Sequence, residues 1–127
     1  MAALVEKPLP RRDATGILTT AVLRAAEKLG VPASALAEVL GLSAATVSRM
    51  KTGDYRLNPR KKEFELGVLF VRLFRSLDAI VGGEEGVARA WLANQNVALG
   101  GKPAEKIRSI SGLNDVIAYL DARRAIV

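Results

Sequence analysis

The chain has 127 residues, half of them hydrophobic, and a formal net charge of +6 at pH 7. This length and apolar content predict one compact core, or two small modules that share one, and exclude a disordered chain. Cysteine and histidine are both absent, which excludes disulfides, thiol chemistry and an imidazole base, and with them most catalytic and metal sites. We therefore predict a cytoplasmic protein that is not an enzyme and has no cofactor or metal.

Positive charge is concentrated in the first half of the chain. Residues 1–62 contain 11 Lys and Arg against 5 Asp and Glu, whereas residues 63–127 contain 8 of each kind. This asymmetry is typical of a protein whose first half meets a polyanion such as DNA. A basic surface that serves only solubility would have the same composition.

The predicted elements begin with a flexible basic arm over residues 1–12, which contain two prolines and two adjacent arginines. A first helix follows, with Asp13 or Thr15 as its N-cap and Gly30 after its last turn. Two short helices are expected next, over Ala33–Leu40 and Ala44–Lys51.

A long central helix is predicted from Asn58, which would cap it with Pro59 at its first position, to about residue 81. Its apolar stripe is broad, and Glu65, Arg72 and Ser76 mark its polar face. The charged residues within this apolar segment argue against a membrane span.

Gly82-Gly83 is the predicted boundary between two modules. Beyond it we expect helices over residues 84–93 and 112–124, a loop over 94–102 and a short helix that opens at Pro103. No segment alternates as a strand does. The sequence therefore predicts an all-α fold with a basic arm (1–12), a first domain that includes the central helix (13–81) and a C-terminal helical module (82–127).

The segment that starts at Ala33 has the spacing of a helix-turn-helix. Its fifth residue, Ala37, is small enough for the second helix to pack on it, and its ninth, Gly41, tolerates the left-handed backbone of the turn. Val47 is apolar and β-branched at the fifteenth position, and Ser43 stands where the second helix needs an N-cap. The remaining core positions are also apolar: Leu36, Leu40, Leu42 and Met50. An αα-corner in which this spacing arises by chance is the alternative.

A helix-turn-helix places its second helix in the major groove of DNA, with the N-terminal residues toward the base edges. Arg49 is the one side chain there that suits bidentate reading of guanine, and the small pair Ala44-Ala45 allows close approach. Basic residues beyond the helix would hold flanking phosphates, although Lys61 and Lys62 fit a solvated helix start equally well. The predicted DNA-binding residues are Ser43, Ala44, Ala45, Thr46, Ser48, Arg49, Lys51, Arg56 and Arg60.

The second half carries a further pattern, which comprises Ala90-Trp91-Leu92, Asn94-Gln95-Asn96, Leu99, Gly101, Pro103, Val116 and Leu120. In this pattern the chain resembles antitoxins of the Xre/MbcA/ParS family, and with the helix-turn-helix the resemblance covers roughly residues 15–127. It implies an Xre-like helix-turn-helix bundle joined through the long central helix to a small toxin-binding module. It also implies a cognate RES-domain toxin that depletes NAD, and repression of the shared operon.

The resemblance places the toxin contacts in the C-terminal module. Trp91 is either a core anchor or an interface anchor, and the core is its commoner place. Asn94 and Asn96 are expected mainly to cap backbone groups of the loop. Arg123-Arg124 either reaches into an anionic cleft or complements a helix C-terminus. The predicted toxin-binding residues are Trp91, Asn94, Asn96, Lys102, Arg123 and Arg124.

Three functions are consistent with these patterns. The first is an antitoxin that binds a RES-domain toxin and double-stranded operator DNA as a homodimer. The second is a plain transcription repressor whose C-terminal half only dimerises, and the third is an adaptor whose helix-turn-helix no longer binds DNA. The run Gly100-Gly101-Lys102-Pro103 lacks the spacing and the hydroxyl of a phosphate loop, so it does not indicate an enzyme.

Overall fold

The structure is a computed structural model that describes the backbone of residues 9–126 and the side chains of residues 14–125. Within these residues the chain forms seven helices and no strand, which confirms the all-α prediction. They are α1 (Leu9–Leu29), α2 (Ala33–Leu40), α3 (Ala44–Lys51), α4 (Lys62–Ile80), α5 (Glu85–Ala93), α6 (Pro103–Lys106) and α7 (Ile110–Ile126). None of the helices in this part of the chain is long and apolar enough to cross a membrane.

The first helix begins earlier than predicted. Because α1 starts at Leu9, residues 9–12 are helical, whereas residues 1–8 of the predicted arm lie outside the described residues. Asp13 and Thr15 therefore lie within α1, and neither is its N-cap. Pro10 falls in the first turn, where its missing N–H costs no helical hydrogen bond, so this proline permits the earlier start.

The central helix begins later than predicted, at Lys62 with Lys61 as its N-cap. The Asn58 carboxamide oxygen accepts the Arg60 backbone N–H at 2.9 Å, and the Asn58 carbonyl accepts that of Lys61 at 2.9 Å. Asn58 therefore closes a turn in front of α4 and does not cap the helix, and Pro59 lies in that turn.

One hydrophobic core extends through both halves of the chain. Phe70 and Leu73 of α4 are fully buried, and α4 packs against both α1 and α7. The same cluster includes residues of α2 and α3 as well as Leu92 of α5. Where α1 and α4 cross, a Cβ at Gly67 would lie 2.9 Å from the Leu57 Cδ1 and 3.3 Å from the Val22 Cγ2, so a larger residue there would have to displace buried side chains.

The C-terminal helices fold back onto the first half. Gly82 and Gly83 have left-handed φ angles of 64° and 81°, which turn the chain from α4 into α5. The last helix begins at Ile110, two residues before the predicted start, because the Ser109 hydroxyl accepts the Gly112 backbone N–H at 3.1 Å and caps it. α7 then lies along α4, and α5 packs against α1.

Candidate DNA-binding and toxin-binding sites

The α2–α3 pair has the bounds and the turn that the sequence predicts. Ala37 and Val47 are buried between the helices and the core, and Gly41 ends α2 with a left-handed φ of 70°. The Ser43 hydroxyl accepts the Thr46 backbone N–H at 3.1 Å and caps α3. The other predicted core positions, Leu36, Leu40 and Met50, are buried, and Leu42 is half-buried. This geometry confirms the helix-turn-helix prediction.

The outer face of α3 is short, and its exposed residues are Ser43, Ala44, Ala45, Ser48 and Arg49. The Arg49 Nη2 donates to the Thr46 hydroxyl at 3.0 Å, and that hydroxyl lies 2.9 Å from the Ser43 hydroxyl oxygen. This chain of hydrogen bonds draws the guanidinium back toward the N-terminus of α3. Thr46 therefore orients Arg49, a role that the sequence did not indicate.

The basic residues that were predicted to bind phosphates beside α3 do not all lie on the α3 face. Arg60 is exposed in the turn before α4. Lys51, although exposed, lines a depression with Glu27 of α1. Arg56 lies against α1, where its Cζ would be 3.7 Å from a Cβ at Gly16. The structure thus brings together the residues of α3 and places Lys51 and Arg56 beside α1.

A buried carboxylate holds the segment between α3 and α4. The Glu63 Oε2 accepts the Tyr55 hydroxyl and the Asn58 backbone N–H, the latter at 2.8 Å, and Glu63 is only 5% exposed. The hydrogen bond to Glu63, partial burial and the carboxylate charge raise the pKa of Tyr55 to about 12. The Thr19 hydroxyl accepts the Leu57 backbone N–H at 3.1 Å, which holds the same segment to α1. The sequence pattern missed both contacts.

Side chains of α5 and α7 form a partly exposed patch, which we call the aromatic surface and define as Val87, Trp91, Tyr119 and Arg123. The rings of Trp91 and Tyr119 stack with centroids 6.1 Å apart and planes inclined by 21°. Arg123 lies 5.6 Å over the Tyr119 ring, and its Nη1 donates to the Tyr119 hydroxyl at 2.7 Å. Val87, one turn before Trp91, is 50% exposed. Trp91 is half-buried and is not enclosed in the core.

Arg124 has different surroundings from Arg123. Its Nη1 donates to the Ser76 hydroxyl of α4 at 3.3 Å, and that hydroxyl also lies 3.0 Å from the Asp121 Oδ1. Asp121 in turn pairs with Arg72. Ser76 is fully buried, so its assignment to the polar face of α4 was wrong, because α7 covers it. Arg124 belongs to the contact between α4 and α7, whereas Arg123 belongs to the aromatic surface.

The loop between α5 and α6 is closed by its own hydrogen bonds. The backbones of Asn96 and Gly101 pair, and the Asn96 carboxamide oxygen accepts the N–H three residues later at 3.1 Å. This confirms the predicted capping role of Asn96. Asn94 and Lys102 are exposed at the two ends of the loop. At its tip stands Val97, which is 94% exposed and which the sequence pattern did not single out.

Two family models match the chain. The antitoxin Xre-like helix-turn-helix domain matches residues 8–72, just over half of the chain, and the antitoxin Xre/MbcA/ParS C-terminal toxin-binding domain matches residues 76–125. The chain belongs to the Xre/MbcA/ParS antitoxin family. Both matches confirm the family resemblance of the chain. No curated protein sequence matches the antitoxin.

The matches assign the two surfaces to two domains. The helix-turn-helix domain contains the α3 face, and the C-terminal toxin-binding domain contains the aromatic surface and the closed loop. Neither domain family is enzymatic, which confirms the prediction that the antitoxin is not an enzyme. The boundary between the two matched ranges falls within α4, so this helix contributes to both domains.

Proposed function

We propose that this antitoxin neutralises a RES-domain toxin in the cytoplasm and, as a homodimer, represses the operon that encodes both proteins. One observation carries the proposal: two separate exposed surfaces lie on one core. The α3 face belongs to the helix-turn-helix domain, and the aromatic surface belongs to the toxin-binding domain. The identity of the toxin as a RES-domain enzyme rests on the family resemblance.

The α3 face is suited to reading DNA in the major groove. The exposed Ala44 and Ala45 let the helix approach the bases closely, and the capped N-terminus of α3 attracts a phosphate. Arg49 is the one cation on this face, and its guanidinium can pair with the O6 and N7 of guanine. Few side chains are available for base contacts, so a useful affinity requires two copies on a palindromic site.

The aromatic surface is suited to binding a protein partner. Stacked aromatic rings with a guanidinium over one of them combine a large apolar area with a fixed charge, which is the composition of interface hot spots. Arg123 is held by Tyr119, so little side-chain entropy is lost when it meets an anion. In an NAD-binding cleft, this guanidinium would compete with the substrate phosphates. We include Asn94, Lys102 and Val97 of the neighbouring loop in the proposed toxin interface.

The experiment is co-expression of the antitoxin with the product of the adjacent gene, followed by co-purification, a viable count, an NAD assay and operator binding. We expect the neighbour to be toxic and to deplete NAD when it is expressed alone, and both effects to disappear in the complex. Arg123→Ala should weaken rescue and leave operator binding intact. Arg49→Ala should do the opposite, with a loss of about 1–3 kcal/mol in specific DNA binding.

Each variant is thus the control for the other. A harmless neighbour that does not co-purify would overturn the toxin assignment and leave a plain repressor. Absence of operator binding by the parent protein would instead leave an adaptor. A toxic neighbour that is rescued but does not consume NAD would overturn only the RES assignment.

A further inference from the structure

A groove of about 590 Å³ lies between α1 and α4, away from the residues of the α3 face and of the aromatic surface. Its lining combines small and apolar side chains, among them Ala21, Val71 and Phe74. Ile17, also part of the lining, is 66% exposed, which makes it one of the most exposed large hydrophobic residues of the described chain. An apolar strip of this kind on a folded protein marks a site for a partner.

Four cations line the same groove, namely Arg24, Lys28, Arg56 and Arg75, and among residues 14–125 no carboxylate lines it. The carboxylates of residues 14–125 form their ion pairs elsewhere, with Lys62, Arg72, Arg89 and Arg108. The Lys28 ammonium lies 5.8 Å over the Phe74 ring, so that charge sits directly on the apolar floor. The groove therefore offers apolar contact together with positive charge that no carboxylate of residues 14–125 pairs with.

The dimensions of the groove indicate the shape of its occupant. Its lining follows α1 from Gly16, beside Arg56, to Lys28, beside Phe74. This length of helix spans about 18 Å, or three turns. An amphipathic helix of that length buries one apolar face in such a groove and places its flanking side chains beside the rims.

The charge of the groove distinguishes between its possible occupants. A second copy of the antitoxin in a two-fold arrangement would bring the same four cations against each other, which is unfavourable. A DNA backbone would satisfy the cations and leave Ile17 and Phe74 without apolar contact. We propose that the groove binds an acidic amphipathic helix of a partner protein, with its apolar face on Ile17 and Phe74 and its carboxylates beside Arg24, Lys28, Arg56 and Arg75.

The test uses the full chain and a fluorescent helical peptide of about 14 residues, with leucine at helical spacing on one face and glutamate on its flanks. A second peptide carries lysine in place of every glutamate. We expect the acidic peptide to bind and the basic peptide not to bind. Arg24→Glu/Lys28→Glu should weaken binding of the acidic peptide by about tenfold or more, and Ile17→Ser should weaken it without any change in charge.

The double variant Lys62→Glu/Arg108→Glu makes the same change in net charge at two exposed positions outside the groove, and it should bind the acidic peptide as the parent does. Equal loss in this control, equal binding of the two peptides, or no binding of the acidic peptide would overturn the proposal. So would a DNA duplex whose binding depends on Arg24 and Lys28. A dimer that the Arg24→Glu/Lys28→Glu exchange dissociates, measured by sedimentation, would assign the groove to a second copy and would also overturn it.

Discussion

The Arg89 Nε of α5 donates to the Lys28 carbonyl oxygen at the end of α1, at a distance of 2.9 Å. The same guanidinium donates through Nη2 to the Glu27 carbonyl at 3.0 Å. The last carbonyls of a helix have no partner within it, and a cation there also complements the negative end of the helix dipole. One side chain of the toxin-binding domain thus completes a helix of the DNA-binding domain.

Arg89→Ala should lower the free energy of unfolding by about 1 kcal/mol, because two carbonyls lose a charged donor that is still half exposed to water. The control is Arg108→Ala, which removes an exposed ion pair with Glu38 of α2 and should cost less than about 0.5 kcal/mol. Urea denaturation measures both. Equal effects of the two substitutions would show that Arg89 acts only as a surface charge.

Gly112→Ala should be among the most damaging single-methyl changes in the chain. An added Cβ would lie 1.9 Å from the Lys106 carbonyl oxygen, and this backbone atom at the end of α6 has little room to move. We expect a loss of about 3 kcal/mol or more in urea denaturation. Gly86→Ala, within α5 and with open space around it, should instead stabilise by about 0.5–1 kcal/mol. A Gly112→Ala protein as stable as the parent would contradict the contact.

Asp121→Ala should destabilise the protein by about 1–3 kcal/mol, because it removes a hydrogen bond from the buried Ser76 hydroxyl and the ion-pair partner of Arg72. Asp115→Ala changes an exposed carboxylate on the same helix and should have an effect close to zero. Thermal unfolding of both variants decides the matter. Similar losses of stability in Asp121→Ala and Asp115→Ala would mean that the hydrogen bond between Ser76 and Asp121 contributes nothing beyond the charge of the carboxylate.

Tyr55 should make the protein less stable as the pH rises from 10 to 12. In the unfolded chain its hydroxyl loses the proton near pH 10, whereas in the folded protein the raised pKa retains it to about 12. The unfolded state therefore binds fewer protons over this interval, and the stability falls as pH increases. Tyr55→Phe should lack this pH-dependent loss of stability. The difference in unfolding free energy between the parent and Tyr55→Phe should therefore shrink between pH 10 and 12. Tyr119→Phe is the control and should retain the loss of stability at high pH. Identical pH profiles for the parent and Tyr55→Phe would contradict the contact between Tyr55 and Glu63.

The helix-turn-helix could be predicted from the sequence because its constraints are local. Gly41 and Ser43 fix the turn and the start of α3 within a few residues of chain, and α2 and α3 begin and end where the spacing placed them. The same holds for the start of α6 at Pro103. The closed loop at Asn96 was also foreseeable, since an asparagine commonly caps backbone groups nearby in the chain.

The buried polar residues could not be predicted, because their partners are distant in the sequence. Thr19 bonds to Leu57, and Ser76 bonds to Asp121. A helical pattern assigns such residues to the solvent face unless the position of the opposing helix is known. The aromatic surface could not be predicted for the same reason, because Trp91 and Tyr119 come together only when the chain has folded.

The position of α4 within both matched domains has a thermodynamic consequence. One core lies under both the α3 face and the aromatic surface, so local opening at either end exposes apolar residues that pack against the other end. The antitoxin should then melt as a single cooperative unit, and any ligand that binds only the folded chain stabilises all of it by mass action. A toxin held at the aromatic surface would raise the melting temperature of α2 and α3, although no atom of the toxin touches them.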